Sequence, residues 1–557
     1  MKLRLAIAQI NCTVGDLEGN CRKITGCVGK AADQGVDIIV FPELAITGYP
    51  PEDLLLKPKF IADNIDSLKN TARSVNDMIC VIGFVNKTGP DLFNSAAVIR
   101  KSKIAGIYNK MLLPNYGVFD ENRYFKAGSA PAVFRAGGLA FGVNICEDIW
   151  HKDGPIKAQA AAGAGLILNI NSSPYHAGKM KEREELIKRE AKSNGVFIAY
   201  ANLVGGQDEL VFDGQSMIVG PSGKIICRAR AFREDFIVAD LDITPCRAKR
   251  MKKAVVIAKE FEPKKKTPLL SKKEVKPLEP VAEVYEALVL GLKDYVAKNG
   301  FNKVLIGLSG GIDSSLVATL AVDALGKDNV AGIYMPTRYS SEESGRDAGE
   351  LAVNLGIKFI TMSIDQMYSL FLMAFEKQFA GLGRDITEEN IQARIRGNIL
   401  MAFSNKFGWL VLTTGNKSEM STGYATLYGD MAGGLAVIKD VPKTLVYKLA
   451  KYRNSLGKAI PDAVFTKEPT AELRPEQKDR DTLPAYEVLD PIIKAYVEED
   501  KSPAEITAAG FDKETVTRVI RMVDRSEYKR RQSPPGIKIT PKAFGKDRRM
   551  PITNKYR

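Results

Sequence analysis

Histidine is almost missing from this chain: His151 and His176 are the only two in 557 residues. Proton transfer therefore falls mostly to carboxylates and lysines. Cysteine is scarce and one-sided. The seven cysteines, at positions 12, 21, 27, 80, 146, 227 and 246, contain no CxxC pair, and their odd number fits a reduced compartment better than a disulfide framework. The last 311 residues contain none at all, which excludes zinc-thiolate, redox and sulfur-transfer chemistry from that part. No run approaches the roughly 20 apolar residues of a membrane span. The opening MKLRLAIAQINCTVGD alternates into a Gly-Asp turn, which reads as a first β-strand and not as the apolar block of a signal peptide. A cytoplasmic protein without membrane contacts is expected. The Walker A pattern GxxxxGK[ST] is also absent, so nucleotide binding must use another loop.

A chain of this length exceeds what one core usually organises, and the sequence divides it. Up to about Leu241, short β-branched runs (VDIIVFPE, MICVIGFV, LAFGVNIC, GLILNINSS, GVFIAYANL) alternate with stretches of helical composition, the pattern of a layered α/β domain. A Lys- and Pro-rich segment follows, with little periodic apolar pattern, and reads as an extended linker. A helical VAEVYEALVLGLKDYVAKNG, the strand KVLIGLS, a glycine turn and the helix DSSLVATLAVDAL then open a Rossmann-like parallel-sheet domain. The expected boundaries are 1–246, a basic linker 247–280, and 281–557. The net charge of +14 gathers between Arg247 and Lys276 and between Arg525 and Arg557. The tail lacks aromatics at stacking spacing, so an anionic dinucleotide fits it better than RNA.

Three residues stand at the carboxyl ends of predicted strands, where open α/β sheets bind ligands: Glu43 after DIIVFP, Lys110 after IAGIYN and Cys146 after AFGVNI. A nearby cation favours a thiolate, and Lys110 supplies one. Glu43 is the candidate general base, and Lys110 a stabiliser of the oxyanion. Taken singly, each has a plain structural reading, as a turn residue, a surface charge and a small buried hydrophobe. A Cys-His mechanism through His151 or His176 is the rival. Together, in FPELAITGYPPEDLL, YNKMLLPNYGVFDENRYF and VNICEDIW, the three resemble the Glu-Lys-Cys triad of the nitrilase superfamily, and specifically the glutaminase domains of NAD synthetases. The resemblance implies an α-β-β-α sandwich, glutamine bound by Tyr116, Ser173 and Lys179, and a supporting second glutamate, Glu121.

The other half carries SGGIDSS at 309–315, between a strand and an apolar helix. Two glycines let the backbone approach phosphate oxygens, while the serines and the helix N-terminus offer donors to an anion. This looks like the pyrophosphate loop of enzymes that adenylate a carboxylate and expel pyrophosphate. Further segments resemble the NAD synthetase family: MPTRYSSEES at 335–344, ENIQARIRGNILM at 389–401, TTGNKSEMSTGYATLYGDMAGGLAVIKDVPKT at 413–444, LPAYEVLD at 483–490 and EYKRRQSPPGIKIT at 527–540. The resemblance implies ATP contacts at Gly307, Leu308, Ser309, Gly310, Gly311, Ile312, Asp313, Ser314 and Thr414. It implies deamido-NAD contacts at Asn390, Glu419 and Lys529, and Mg2+ on Asp313 and Glu419. It also puts Lys439, Asp440 and Lys443 near the phosphates, and leads to the expectation of a homo-oligomer.

The implied reaction joins ATP, deamido-NAD, glutamine and water to give AMP, pyrophosphate, NAD and glutamate. An amidase with a non-catalytic nucleotide sensor, or another amidotransferase with the same pyrophosphate loop, stays open at this point.

Overall fold

The computed structural model describes residues 1–245, 254–263 and 275–556. Cys246 and most of the expected linker lie outside them. Contacts gather the chain into two units, Met1–Gln207 with Val211–Leu278, and Asp208–Leu210 with Glu279–Arg557.

The first unit is built on strands β1 (Lys2–Gln9), β2 (Ile38–Val40), β3 (Ile79–Thr88), β4 (Asp91–Arg100), β5 (Lys103–Asn109), β6 (Val133–Ala136), β7 (Leu139–Ile145), β8 (Leu166–Asn171), β9 (Phe197–Asn202), β10 (Val204–Gln207), β11 (Leu210–Asp213), β12 (Met217–Val219), β13 (Ile225–Arg228), β14 (Asp235–Asp242) and β15 (Val255–Ala258). They form a six-stranded sheet ordered β14-β1-β2-β3-β4-β5, a seven-stranded sheet ordered β13-β12-β9-β8-β7-β6-β15, and the ribbon β10-β11. One core joins the inner faces of the two large sheets, with Leu3, Leu5, Ile7, Ile38 and Val81 from one and Phe134, Phe141, Val143, Leu168 and Ile218 from the other. The helices cover the outside. Leu17–Asp33 is capped by Asp16, whose side chain accepts from the Gly19 N–H, and buries Ile24, Val28 and Ala31 on one stripe. Lys179–Asn194 sends Leu186, Ile187 and Ala191 into a second core with Ile167, Ile198 and Val219. The result is the α-β-β-α sandwich. Part of the segment read as linker is a strand: Val255–Ala258 extends the seven-stranded sheet parallel to β6. The alternation that marks a strand is weak in these few residues, and only the exposed edge of β6 decides their state.

The second unit carries a five-stranded, wholly parallel sheet, β16 (Val304–Gly307), β17 (Val330–Tyr334), β18 (Lys358–Thr361), β19 (Leu410–Thr413) and β20 (Leu435–Ala436). Its order is β18-β17-β16-β19-β20. The chain runs outward in one direction from β16 and then returns to its other side at β19. That reversal is the topological switch point, where the loops after β16 and β19 part to leave a crevice.

Candidate active sites

The first site is assembled from three strand ends. Glu43 lies just beyond β2 on a loop that crosses β3 closely: Phe41 N–H donates to Val81 O at 2.9 Å and Ile46 N–H to Gly83 O at 3.2 Å. Only glycine fits at position 83, since a Cβ there would lie 2.5 Å from Pro42 O and 2.7 Å from the Glu43 carbonyl carbon. Lys110 follows β5 directly, its N–H donating to Asn94 O at 2.8 Å. Cys146 begins the short turn Cys146–Ile149 after β7 at φ +43°, a left-handed conformation that costs a β-carbon-bearing residue on the order of 1–3 kcal/mol. Asp148 holds that turn. Its Oδ2 accepts from Ile145 N–H at 2.9 Å and from the Tyr108 hydroxyl at 2.8 Å, and its Oδ1 accepts from Met111 N–H at 3.1 Å and Leu112 N–H at 2.9 Å. One buried carboxylate thus ties the cysteine turn to the segment after Lys110.

The charges are arranged tightly. Glu43 Oε1 accepts from Lys110 Nζ at 2.8 Å and Asn94 Nδ2 at 2.7 Å, and Oε2 accepts from Ser172 N–H at 2.8 Å. Lys110 Nζ also donates to Glu121 Oε1 at 2.8 Å, and the Tyr49 hydroxyl to the same oxygen at 3.1 Å. Glu43, Lys110, Cys146 and Glu121 are each at most 5% exposed. Burial opposes the Lys110 charge, yet Glu121 and Glu43 raise its pKa well above the ordinary value. Burial, with Glu43 adding to it, pushes the Cys146 thiol well up despite Lys110. Lys110 does pull toward the thiolate, as expected, but burial and the Glu43 charge outweigh it. A thiol pushed up in this way needs a base for its attack. Burial pushes Glu121 up to about 7, against the pull of Lys110.

The other residues expected in this site are spread around it. Tyr116 is exposed and donates to Glu147 Oε2 at 2.9 Å, and the Lys110 charge reaches it. Ser173 is buried, its N–H donating to Asn202 Oδ1 at 3.0 Å and its Oγ accepting from Arg183 at 3.4 Å. Lys179 sits 4.1 Å from the ring centroid of Trp150, directly after the cysteine turn. His151 meets Glu147 at 3.2 Å on a side chain 55% exposed, and His176 pairs with Ala177 O. Sequence reasoning missed Asn94 and Asp148; the signals were a lone amide within the apolar run of β4 and an acid two residues after the cysteine.

The second site is a cavity of about 300 Å³ in the crevice of the parallel sheet. Gly307, Leu308, Ser309, Gly311, Ile312, Asp313, Ser314, Thr414 and Glu419 line it, while Gly310, Asn390 and Lys529 lie outside its lining. Gly310, at φ +75°, is where the loop presses on a neighbour: a Cβ would stand 2.8 Å from the Ser344 Cα. Ser314 Oγ bonds Ser309 Oγ at 3.1 Å, and Ser315 Oγ donates to Gly311 O at 2.8 Å, which folds the loop over the start of the helix Ile312–Leu325. Asn416 joins the two sides of the crevice. Its Nδ2 donates to Asp313 Oδ1 at 3.0 Å, while its Oδ1 caps the helix Lys417–Thr422 by accepting from Glu419 N–H at 3.0 Å.

Lys443 Nζ forms an ion pair with Asp313 and lies 3.8 Å from Glu419 Oε1. Burial, and then the Asp313 charge, push Glu419 up to about 8. Asp479, which also lines the cavity, adds a third carboxylate felt by both; its setting in QKDRD gave no signal. Burial lowers the Arg396 guanidinium to about 10, so a cation still faces the cavity at neutral pH. Its Nε donates to Met335 O at 3.0 Å. Asn390 Oδ1 accepts from Thr426 at 2.8 Å, and Lys529 Nζ donates to Gly423 O and Ala425 O at 2.8 Å each. Two residues expected near phosphates are occupied elsewhere. Asp440 pairs with Lys417 at 2.9 Å and accepts from the N–H groups of Ile539 and Thr540, and Lys439 donates to Pro534 O at 2.6 Å. Both brace the C-terminal segment, because burial without those partners would leave bare charges.

No group of three or more His, Cys, Asp or Glu among the described residues is disposed to hold a metal. Asp313 and Glu419 nonetheless converge on one cation, the Lys443 ammonium. Two carboxylate donors suit Mg2+, which takes one or two from protein and the rest from phosphates and water.

The two units are a carbon-nitrogen hydrolase fold joined to a ligase of the NAD synthase kind. The Carbon-nitrogen hydrolase family model matches residues 4–251 and the NAD synthase model matches residues 284–533. The chain is 49% identical over 568 residues to a glutamine-dependent NAD(+) synthetase of Aquifex aeolicus, with both chains covered in full. It is 50% identical over 576 residues to that of Thermotoga maritima, covering 100% of this chain and 99% of the relative. The solved structure of the Acinetobacter baumannii glutamine-dependent NAD+ synthetase, in complex with ADP, superposes with a TM-score of 0.76 at 43% identity, covering 100% of this chain and 99% of that one. This chain belongs to the glutamine-dependent NAD(+) synthetase family.

Proposed function

We propose that the chain makes NAD from deamido-NAD in two coupled reactions. In the first unit, the Cys146 sulfur attacks the carboxamide carbon of glutamine while Glu43 accepts the thiol proton. Lys110 faces the oxygen that gains negative charge. Glu43 returns the proton to the departing nitrogen, ammonia leaves, and a thioester remains. Water, deprotonated by Glu43, opens the thioester to glutamate and restores the thiol. Tyr116, Ser173 and Lys179 hold the glutamine. The observation that carries this reading is the buried Glu43–Lys110 pair, with Glu43 held by three donors in one orientation; burial pushes the Cys146 thiol up, so its attack needs that base.

In the second unit, the nicotinate carboxylate of deamido-NAD attacks the α-phosphorus of ATP and pyrophosphate leaves. Ammonia then attacks the acyl carbon of the adenylate and AMP departs. The loop from Gly307 to Ser314, with Thr414, binds ATP; Asn390, Glu419 and Lys529 bind deamido-NAD. Asp313 and Glu419 would hold Mg2+, which neutralises phosphate charge as the α–β bond breaks. The enzyme works in the cytoplasm as a homo-oligomer, without nucleic-acid or membrane partners. Supporting an oligomer, Leu370, Phe371, Met373, Leu382 and Ile386 expose apolar side chains along one segment.

The test uses NAD and AMP formation with glutamine or with an ammonium salt as nitrogen source. The wild-type chain makes both products in equal amounts with either source. Cys146→Ala abolishes the glutamine-supported reaction and leaves the ammonium-supported one near wild type. Loss of both would sink the two-site mechanism.

A further inference from the structure

Next to the pyrophosphate loop, a carboxylate sits in a place made for a phosphate. Glu472 accepts from Ser341 Oγ at 2.8 Å, Ser344 Oγ at 2.7 Å, Ser341 N–H at 3.3 Å and Lys467 Nζ at 3.1 Å. Lys467 Nζ also bonds Ser344 Oγ closely and reaches Ser341 Oγ at 3.4 Å. An ammonium, two hydroxyls and a backbone N–H are the donors that recur at phosphate sites. They lie on the nucleotide side of the unit: Ser344, Lys467 and Glu472 line the same cavity as Ser309, Asp313 and Thr414. Ser344 is also the residue against which Gly310 of the loop is pressed. Although burial opposes ionisation, Ser344, Ser341 and Lys467 hold the Glu472 carboxyl below its usual range, so the side chain is an anion at neutral pH.

Glu472 does not arrive there by regular structure. It belongs to no helix or strand and has φ +50°, and the segment is pinned from its other side by Gln392, whose Nε2 donates to Leu473 O at 2.8 Å. The carboxylate can leave by side-chain rotation while that anchor holds.

We propose that Glu472 competes with the terminal phosphates of ATP, and with the pyrophosphate that leaves, for the seat formed by Lys467, Ser341 and Ser344. Lys467 is then a phosphate-positioning residue, and Glu472 an internal anion that weakens retention of pyrophosphate and so helps its release. The inference rests on the nucleotide reading of the cavity.

The experiment measures binding of magnesium pyrophosphate and of AMP to the full-length enzyme by calorimetry, for wild type, Glu472→Ala, Glu472→Gln and Lys467→Met. Removing a competitor held by charge-assisted bonds gives a gain on the order of tenfold. Pyrophosphate is expected to bind about tenfold tighter to Glu472→Ala and to tighten also in Glu472→Gln, which keeps the shape and loses the charge. It binds at least tenfold more weakly to Lys467→Met, and AMP affinity stays the same in all four. If Glu472 only braces the segment, both Glu472 variants bind pyrophosphate as wild type or more weakly, and the proposal is overturned. NAD synthesis by wild type, assayed separately, tests the reading of the cavity; the variant-to-wild-type ratio tests the competition.

Discussion

A single methyl group at position 83 probes the glutaminase geometry without removing any reacting atom. Gly83 lies in β3 where the Glu43 loop crosses it, and a Cβ there meets Pro42 O at 2.5 Å and the Glu43 carbonyl carbon at 2.7 Å. Ordinary contact begins near 3.4 Å and the nearest atom, Leu44 N, would lie at 2.3 Å, so strand and loop must part by about 1.1 Å. Neither side yields easily: Phe41 and Ile46 bond the loop to β3 on both flanks, and Glu43 is fixed by Lys110, Asn94 and Ser172. A displacement of about 1 Å in a catalytic group costs about 100-fold in rate, and overpacking a tight interior costs about 1–3 kcal/mol. Gly83→Ala is therefore expected to lower kcat for glutamine hydrolysis by about 100-fold, with ammonium-supported NAD synthesis kept. Gly26→Ala is the control: it lies in the helix Leu17–Asp33 with nothing within 4 Å of its added Cβ. Glutamine-supported synthesis in Gly83→Ala within threefold of wild type would refute the claim that the rate depends on how the Glu43 loop is seated. An equal fall with ammonium would show that the methyl group unfolds the chain instead.

Glu121 gives stability a pH dependence of definite sign. Its folded carboxyl titrates near 7 against an ordinary 4.5, so the folded chain keeps a proton that the unfolded chain has released. Its contribution is complete below the unfolded value and is lost as pH rises through the folded one, amounting to about 3 kcal/mol over the interval. Glu121→Gln should flatten the fall in stability between pH 5 and 8, read from Trp150 fluorescence in a Trp409→Phe background; an unchanged slope rejects the assignment. Lys417 is buried between Asp440 at 2.9 Å and Glu498 at 2.6 Å, so Lys417→Met strands two carboxylates and should cost about 3–5 kcal/mol. Urea denaturation followed by Trp409 measures it, and a loss below about 1 kcal/mol contradicts the buried-pair account. Leu370 and Met373 are 64% and 68% exposed; the double change Leu370→Asp, Met373→Asp should lower the mass measured by light scattering if this segment joins copies of the chain, and an unchanged mass removes it as an interface.

The chemistry was more legible than the electrostatics. Strand endings marked Glu43, Lys110 and Cys146, because short β-branched runs stop where a polar residue must leave the sheet, and the glycine loop after β16, singled out by composition, lines the cavity of the parallel sheet. The state of the thiol was not legible. Whether Lys110 activates Cys146 depends on what else holds the ammonium, and Glu43 and Glu121 reach it from positions 67 and 11 residues away. The resemblance put Lys439 and Asp440 near the phosphates, and only the structure shows that residues about 100 positions later bond both. Asp479 and Glu472 stood in no segment singled out from the sequence, and Arg396, though within ENIQARIRGNILM, was not singled out there; only burial around one cavity makes the three part of it.

By itself, the sequence determined two α/β units, the order of their strands along the chain and the residue types able to do the chemistry, since these follow from local periodicity, turn residues and the donor or acceptor nature of each side chain. Tertiary structure decided which charges share a partner, which titrate near neutral pH and which segment becomes the edge strand Val255–Ala258. Those outcomes depend on distance and desolvation between residues far apart in the chain, and neither is encoded in any short window of it.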